Sequence, residues 1–152
     1  MVKFKEIGTY KTAQNIGYLK TPVVLKNGYG VTYNLATKVV ALPDATTAKG
    51  DVALVMNRID KPETLAPNDY KIEIGEYPRI FPLKNLNGRA LQMDTDAVTT
   101  AYADIAVGDK LTLGTDGKWV ETADVTGYAT YLQVIEKTTF GGNGLDAVVV
   151  VA

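Results

Sequence analysis

The stretch Val107-Gly-Asp-Lys-Leu-Thr-Leu-Gly-Thr-Asp-Gly-Lys-Trp-Val120 decides how this chain is read. Apolar and polar residues alternate on either side of Asp116-Gly117, a pair suited to the positive backbone angles of a tight hairpin. The same logic returns a few residues later. Thr130–Phe140 and Leu145–Ala152 are two strand-like runs joined by Gly141-Gly142-Asn143-Gly144. The run Val148–Val151 is too apolar for a strand with one wet face, so it is expected to be buried on both faces or covered by a partner. Two strand-turn-strand units back to back make a small β unit, and this C-terminal third is expected to be scaffold.

Working toward the N-terminus, turn residues punctuate short β runs. Pro22–Lys26 ends at Asn27-Gly28. Gly30–Asn34 and Lys38–Leu42 flank Leu35-Ala36-Thr37, and Asp51–Ile59 follows a loop over Pro43–Gly50. Loop chemistry at Lys61-Pro62-Glu63 and Ala66–Asp69 precedes the alternating Tyr70–Ile74. Pro78 and Pro82 make any strand in Glu76–Leu83 an edge or a broken one. Arg89–Met93 reads as a short strand. Asp96 is placed to cap one helical turn over Ala97–Tyr102. No segment keeps a 3.6-residue apolar period, so the fold is expected to be all-β, a small barrel or tulip-like body. Val31–Val40 lies without gaps over Leu111–Val120, and Arg58-Ile-Asp-Lys61 resembles Val134-Ile-Glu-Lys137. A true repeat would give two similar β lobes. The divisions expected are an arm over 1–20, a β lobe over 21–94 and a barrel-like lobe over 95–152.

Residues 1–20 are polar, rich in lysine and set with Phe4, Tyr10 and Tyr18, while Gly8 and Gly17 interrupt any helix. They read as an extended arm ordered by what it touches, the alternative being an ordinary edge strand. Up to residue 43, six lysines stand against Glu6 alone, although the whole chain carries a net charge of −1. A basic leading segment on an acidic body meets an acidic partner or folds back on its own body.

Histidine and cysteine are absent, which removes Ser-His-Asp and Cys-His catalysis, thiolate metal sites and disulfides. No enzymatic role, cofactor or metal is expected. Asp94-Thr95-Asp96 offers two carboxylates but lacks the further oxygens that Ca²⁺ needs at loop spacing. The glycine run at 141–144 has no following helix or Lys-Ser/Thr to cradle phosphate. No run of 18 apolar residues is present, so no membrane span is expected. Near-neutral charge and only three arginines (Arg58, Arg79 and Arg89) argue against nucleic acid. Tyrosine supplies nine of the thirteen aromatic residues, which suits a surface that meets other surfaces. Trp119 is either core filling or the platform of a carbohydrate-binding module.

Ala106–Val120, Gly127–Glu136 and Leu145–Ala152 resemble the small capsid decoration proteins of tailed bacteriophages. The shared style is Gly-Asp, apolar strand, Asp-Gly, strand, then a glycine-flanked valine-rich strand. The resemblance covers about a third of the chain. It implies a β-barrel or tulip-like body, self-association, often as trimers, and an N-terminal arm laid on the major capsid protein. The contacts expected on the shell are Lys3, Phe4, Lys5, Tyr10, Lys11 and Tyr18, with lysines as charge partners and aromatics as anchors. It also implies a structural role on the outer surface of the virion, after synthesis in the host cytoplasm. The alternatives are a β-sandwich carbohydrate- or receptor-binding module that uses Trp119, and another virion part such as a tail-tube or head-completion protein.

Overall fold

The computed structural model describes residues 1–6, 8–61 and 66–152; the side chains of Tyr10 and Asn68 lie outside the described set. The expected loop at Lys61-Pro62-Glu63 therefore falls mostly beyond the description. The chain is mostly β, in two antiparallel sheets. The larger has six strands in the order β1-β6-β10-β9-β7-β8: β1 is Val2–Phe4, β6 Ala90–Asp94, β7 Lys110–Leu113, β8 Trp119–Glu121, β9 Thr130–Thr138 and β10 Gly144–Val151. The smaller runs β3-β2-β4-β5, from β2 (Gly30–Asn34), β3 (Val39–Ala41), β4 (Ala53–Val55) and β5 (Ile80–Pro82). The larger sheet stays open, since β1 and β8 are edge strands, so the expected barrel closure is absent among the described residues. Pro82 lies in β5, at the edge of its sheet, where a missing N–H costs no ladder bond.

Period-2 alternation sorts the apolar residues into two cores. Phe4, Leu91, Leu145, Val149, Leu132, Leu111 and Trp119 point from the larger sheet onto Leu54, Met56, Phe81 and Leu83 of the smaller. The opposite face of the smaller sheet carries Val31, Val40, Ala53, Val55 and Ile80, covered by Leu19, Leu25, Tyr70 and Ile72. The molecule thus has three layers. β4 is the middle of the stack: Ala53, Leu54 and Val55 are all fully buried. Where the two sheets meet, β2 carries Gly30, because a Cβ there would lie 2.5 Å from Leu113 Cδ1.

The third layer is irregular backbone. Tyr70–Ile74 and Pro22–Lys26 were expected as strands, yet they meet only at one isolated bridge, Leu25↔Ile72. The strap Ile16–Leu25 spans the smaller sheet, bridging β5 at Ile16↔Ile80 and β3 at Lys20↔Val39. Instead of one helical turn over 97–102, two 3-10 turns form at Thr95–Ala97 and Tyr102–Asp104. β10 lies between β6 and β9, with Val149 buried and Val148, Val150 and Val151 half-buried. One face of the valine run is therefore core and the other is partly wet.

The described residues at the start of the chain pair with the body at several points. β1 pairs with β6 (Val2↔Met93, Phe4↔Leu91), a four-residue helix α1 (Thr9–Thr12) follows, and the strap begins at Ile16. The edge-strand alternative holds for Val2–Phe4: three residues of alternation place Val2 and Phe4 inward, and the burial of those side chains fixes the strand.

Candidate interaction surface

The expected contact residues do not form one stripe. Phe4 is only 3% exposed and packs edge-on against Phe81, with ring centroids 5.3 Å apart. This corrects its reading as a surface anchor, because alternation along β1 turns it into the core. Lys3 and Lys5 take the outward face. The Lys5 ammonium pairs with the buried Asp146 carboxylate and, at 3.0 Å, with Glu136, while Gln92 Nε2 donates to Asp146 Oδ1 at 2.8 Å. These carboxylates hold the Lys5 ammonium above its ordinary pKa, the bond to Asp146 contributing most. The Lys3 ammonium sits 4.8 Å over the Phe140 ring. Lys11 is exposed at the end of α1, and Tyr10 lies outside the described side chains. Tyr18 is 56% exposed on the strap, in the layer farthest from Lys3 and Lys5.

Gly17, the chain neighbour of Tyr18, lines a cleft that the sequence did not announce. The β4–β5 ladder continues past the strands, with the Met56 N–H donating to the Arg79 carbonyl at 2.9 Å. On the sheet face turned toward the larger sheet, Leu54 and Phe81 are core and Met56 stands opposite Arg79. Arg58 lies beyond the end of β4 and lines the same cavity as Met56. The face thus passes from apolar to cationic as it leaves the sandwich. Val2, Met56, Phe81, Arg58 and Arg79 line a cavity of about 300 Å³ at this exit. Two adjoining hollows of about 210 and 310 Å³ continue it past Asn15, Gly17, Asp60, Tyr77 and Tyr70.

Asn57 is common to all three and is held on every side. Its N–H donates to Asn27 Oδ1 at 2.7 Å, and its carbonyl accepts from Asn27 Nδ2 at 2.9 Å. Its Oδ1 accepts the Arg79 N–H, and its Nδ2 donates to the Tyr70 hydroxyl at 3.3 Å. Asn57 thereby ends the ladder: it holds the Arg79 N–H, while Asn27 holds the Asn57 peptide groups that lead into Arg58.

Charge is uneven around the cleft. Lys61 is engaged, donating at 2.7 Å to Glu76 and at 2.7 Å to the Lys71 carbonyl. The Glu76 bond raises the Lys61 pKa, and the Lys61 ammonium lowers that of Glu76. Arg58 and Arg79 have no carboxylate partner among the described residues, whereas Arg89 pairs with Glu6 at 3.5 Å. Tyr77 is 53% exposed, with the Lys20 ammonium 5.7 Å from its ring, and Ile59 and Ile74 are exposed nearby in sequence.

Trp119 is fully buried and donates its indole N–H to the Gly28 carbonyl at 2.9 Å. This overturns its use as a sugar platform. Among the described residues, no group of three acidic, histidine or cysteine side chains is placed to hold a metal. No helix there is long and apolar enough to cross a membrane. No family model, curated protein or solved structure matches the chain. What the cleft offers is recognition: aromatic faces, two available guanidiniums and an apolar floor on a rigid frame. The signal for it in the sequence was the rarity of arginine, since two of the three arginines converge here.

Proposed function

We propose that this protein is a structural component of a tailed-phage virion that decorates the outer surface of the capsid. It would dock on the major capsid protein through the end that carries Tyr18, Tyr77, Arg58 and Arg79. The observation that carries the reading is that exposed tyrosine-arginine end, because Tyr and Arg dominate binding energy at protein interfaces. The resemblance of Ala106–Val120, Gly127–Glu136 and Leu145–Ala152 to decoration proteins supplies the choice of partner. The lysines first assigned to an arm are in part spent inside the molecule, Lys5 on Asp146 above all, so the docking face moves to the cleft. Self-association as trimers on the shell belongs to the same proposal, and many weak copies repeated by symmetry would supply the avidity.

Co-sedimentation of the purified protein with expanded phage heads tests the reading. Wild type should pellet with the heads, and Tyr18→Ala/Tyr77→Ala should weaken binding by at least about tenfold, the loss typical of two interface tyrosines. A folded double variant that pellets undiminished, or a wild type that stays in the supernatant, overturns it.

A further inference from the structure

We propose that the cleft between β1 and the ends of β4 and β5 is a docking groove for an extended segment of a partner protein. That segment presents a carboxylate next to an apolar side chain. The inference rests on this end being the docking face and not on the partner being a capsid shell.

The floor and the mouth make different demands. Val2, Met56 and Phe81 form the floor where the two sheets part, and the space above them matches the lower end of ligand-pocket sizes. An apolar side chain entering there would continue the core. At the mouth, Arg58 and Arg79 present two guanidiniums with no ion pair among the described residues. A guanidinium binds a carboxylate through two parallel N–H donors, a match that ammonium groups lack. Asn57 Oδ1 holds the Arg79 N–H and Asn27 holds the Asn57 peptide groups that lead into Arg58, so the backbone that carries the two arginines is anchored before the partner arrives.

The rim selects against a polyanion. Asp60 and Glu76 line the two adjoining hollows, and Lys61 is already engaged by Glu76. A nucleic-acid strand needs a continuous basic track, but here Arg58 and Arg79 are interrupted by Asp60 and by the Lys61–Glu76 pair. An isolated carboxylate satisfies the arginines without meeting Asp60 or Glu76. Tyr77, beyond the arginines, then covers the flanking residues of the segment.

The test is fluorescence anisotropy with a labelled Gly-Ser peptide carrying a central Phe-Glu-Leu-Asp. One control replaces its acids by Gln and Asn, another replaces its apolar pair by Ser, and a third is a labelled single-stranded oligonucleotide. Saturable binding of the first peptide, weakened at least about tenfold by either peptide control and by Arg58→Gln/Arg79→Gln, is the expected result. Both arginines are exposed, so the double variant should unfold at the wild-type temperature. The proposal is overturned by equal affinity for the Gln/Asn peptide, by binding that the double variant retains, or by preference for the oligonucleotide. It is also overturned if the wild type dimerises through this cleft, seen as a dimer in sedimentation velocity that the double variant abolishes. Head co-sedimentation is read separately. Heads ignored by a protein that binds the peptide sink the capsid reading alone, and heads bound by a protein that ignores the peptide sink the groove alone.

Discussion

The hairpins β2–β3 and β7–β8 occupy the same place in their sheets and bury different residues. Each is followed by two further antiparallel strands, giving the orders β3-β2-β4-β5 and β8-β7-β9-β10. β3 starts at Val39 and β8 at Trp119, eighty positions apart, and each of these residues makes a parallel bridge to an earlier segment, Lys20↔Val39 and Val98↔Trp119. Even the loop beyond agrees. Asp44 accepts from the Thr46 N–H at 2.8 Å, and Asp124 from the Thr126 N–H at 2.9 Å. The turns differ by one residue: 35–38 connect the first pair and 114–118 the second. A shift of one residue reverses the faces of a strand. Tyr33 therefore pairs with Val40 over the outer core, whereas Leu113 pairs with Trp119 over the inner one. The two units do not form separate lobes, because the smaller sheet lies against the larger over a shared core.

The largest test of that contrast is to truncate the two equivalent residues. Trp119→Ala should cost about 3–5 kcal/mol in denaturant unfolding, through lost burial and the orphaned Gly28 carbonyl. Val39→Ala, at a half-buried site, should cost under about 1.5 kcal/mol. Similar losses would mean that the hairpins are packed alike. Next come the first strands. Gly30→Ala forces a methyl onto Leu113 and should destabilise by about 1–3 kcal/mol, while Lys110→Ala, at the equivalent half-buried site, should stay within about 0.5 kcal/mol. If Leu113 rotates away freely, the Gly30 variant will unfold with wild type.

The turns give a smaller effect of opposite sign. Lys38 holds a positive φ of 56° without being glycine, and Gly117 holds 80°. Lys38→Gly should raise stability by about 0.5–1 kcal/mol, because glycine enters this region without steric cost. Gly117→Ala should lower it, with the new Cβ 2.8 Å from Leu42 Cδ2. A Lys38→Gly protein that melts lower than wild type would show that the first turn is unstrained.

The smallest effect is in acid. Backbone N–H donors from Thr47 and Thr46 depress the Asp44 pKa, and Thr126 depresses that of Asp124, both below the ordinary 3.8. A depressed carboxylate contributes stability above its unfolded pKa and loses it as pH falls through the folded one. Both aspartates should therefore titrate below 3.8 by carboxyl NMR, each held by N–H donors from the loop that follows it. Titration of either aspartate at or above 3.8 would break the parallel.

Much of this frame was legible in the sequence. Gly30–Asn34 was read at its observed bounds, the Asp116-Gly117 hairpin formed, and Pro82 marked an edge. The echo of residues 31–40 over 111–120 matched in strand order but concealed the shift in register, because a one-residue change in turn length leaves no mark on composition. The strand Val2–Phe4 and the helix Thr9–Thr12 did not declare themselves, because three alternating residues and a four-residue helix carry too little periodicity. Lysine content could not say whether the acidic partner was external or, as for Lys5, the chain's own Asp146. Arg58 and Arg79 were visible only as rare residues. It is the β4–β5 ladder, extended by the Met56–Arg79 bond, that brings them together, and pairing across twenty-three positions is not written locally.

β6 finds its two neighbours in β1 and β10, strands from opposite ends of the numbered chain. During synthesis, β1 can seek β6 as soon as residue 94 has emerged, but the sheet must wait for β10 to join β6 to β9. Until then Leu91, Met93, Leu132 and Val134 lack the strand between them. The larger sheet should therefore close late and cooperatively, with slow folding set by its distant contacts. A chain stopped before Gly144 would expose the unpaired flanks of β6 and β9 to one another's counterparts in neighbouring chains.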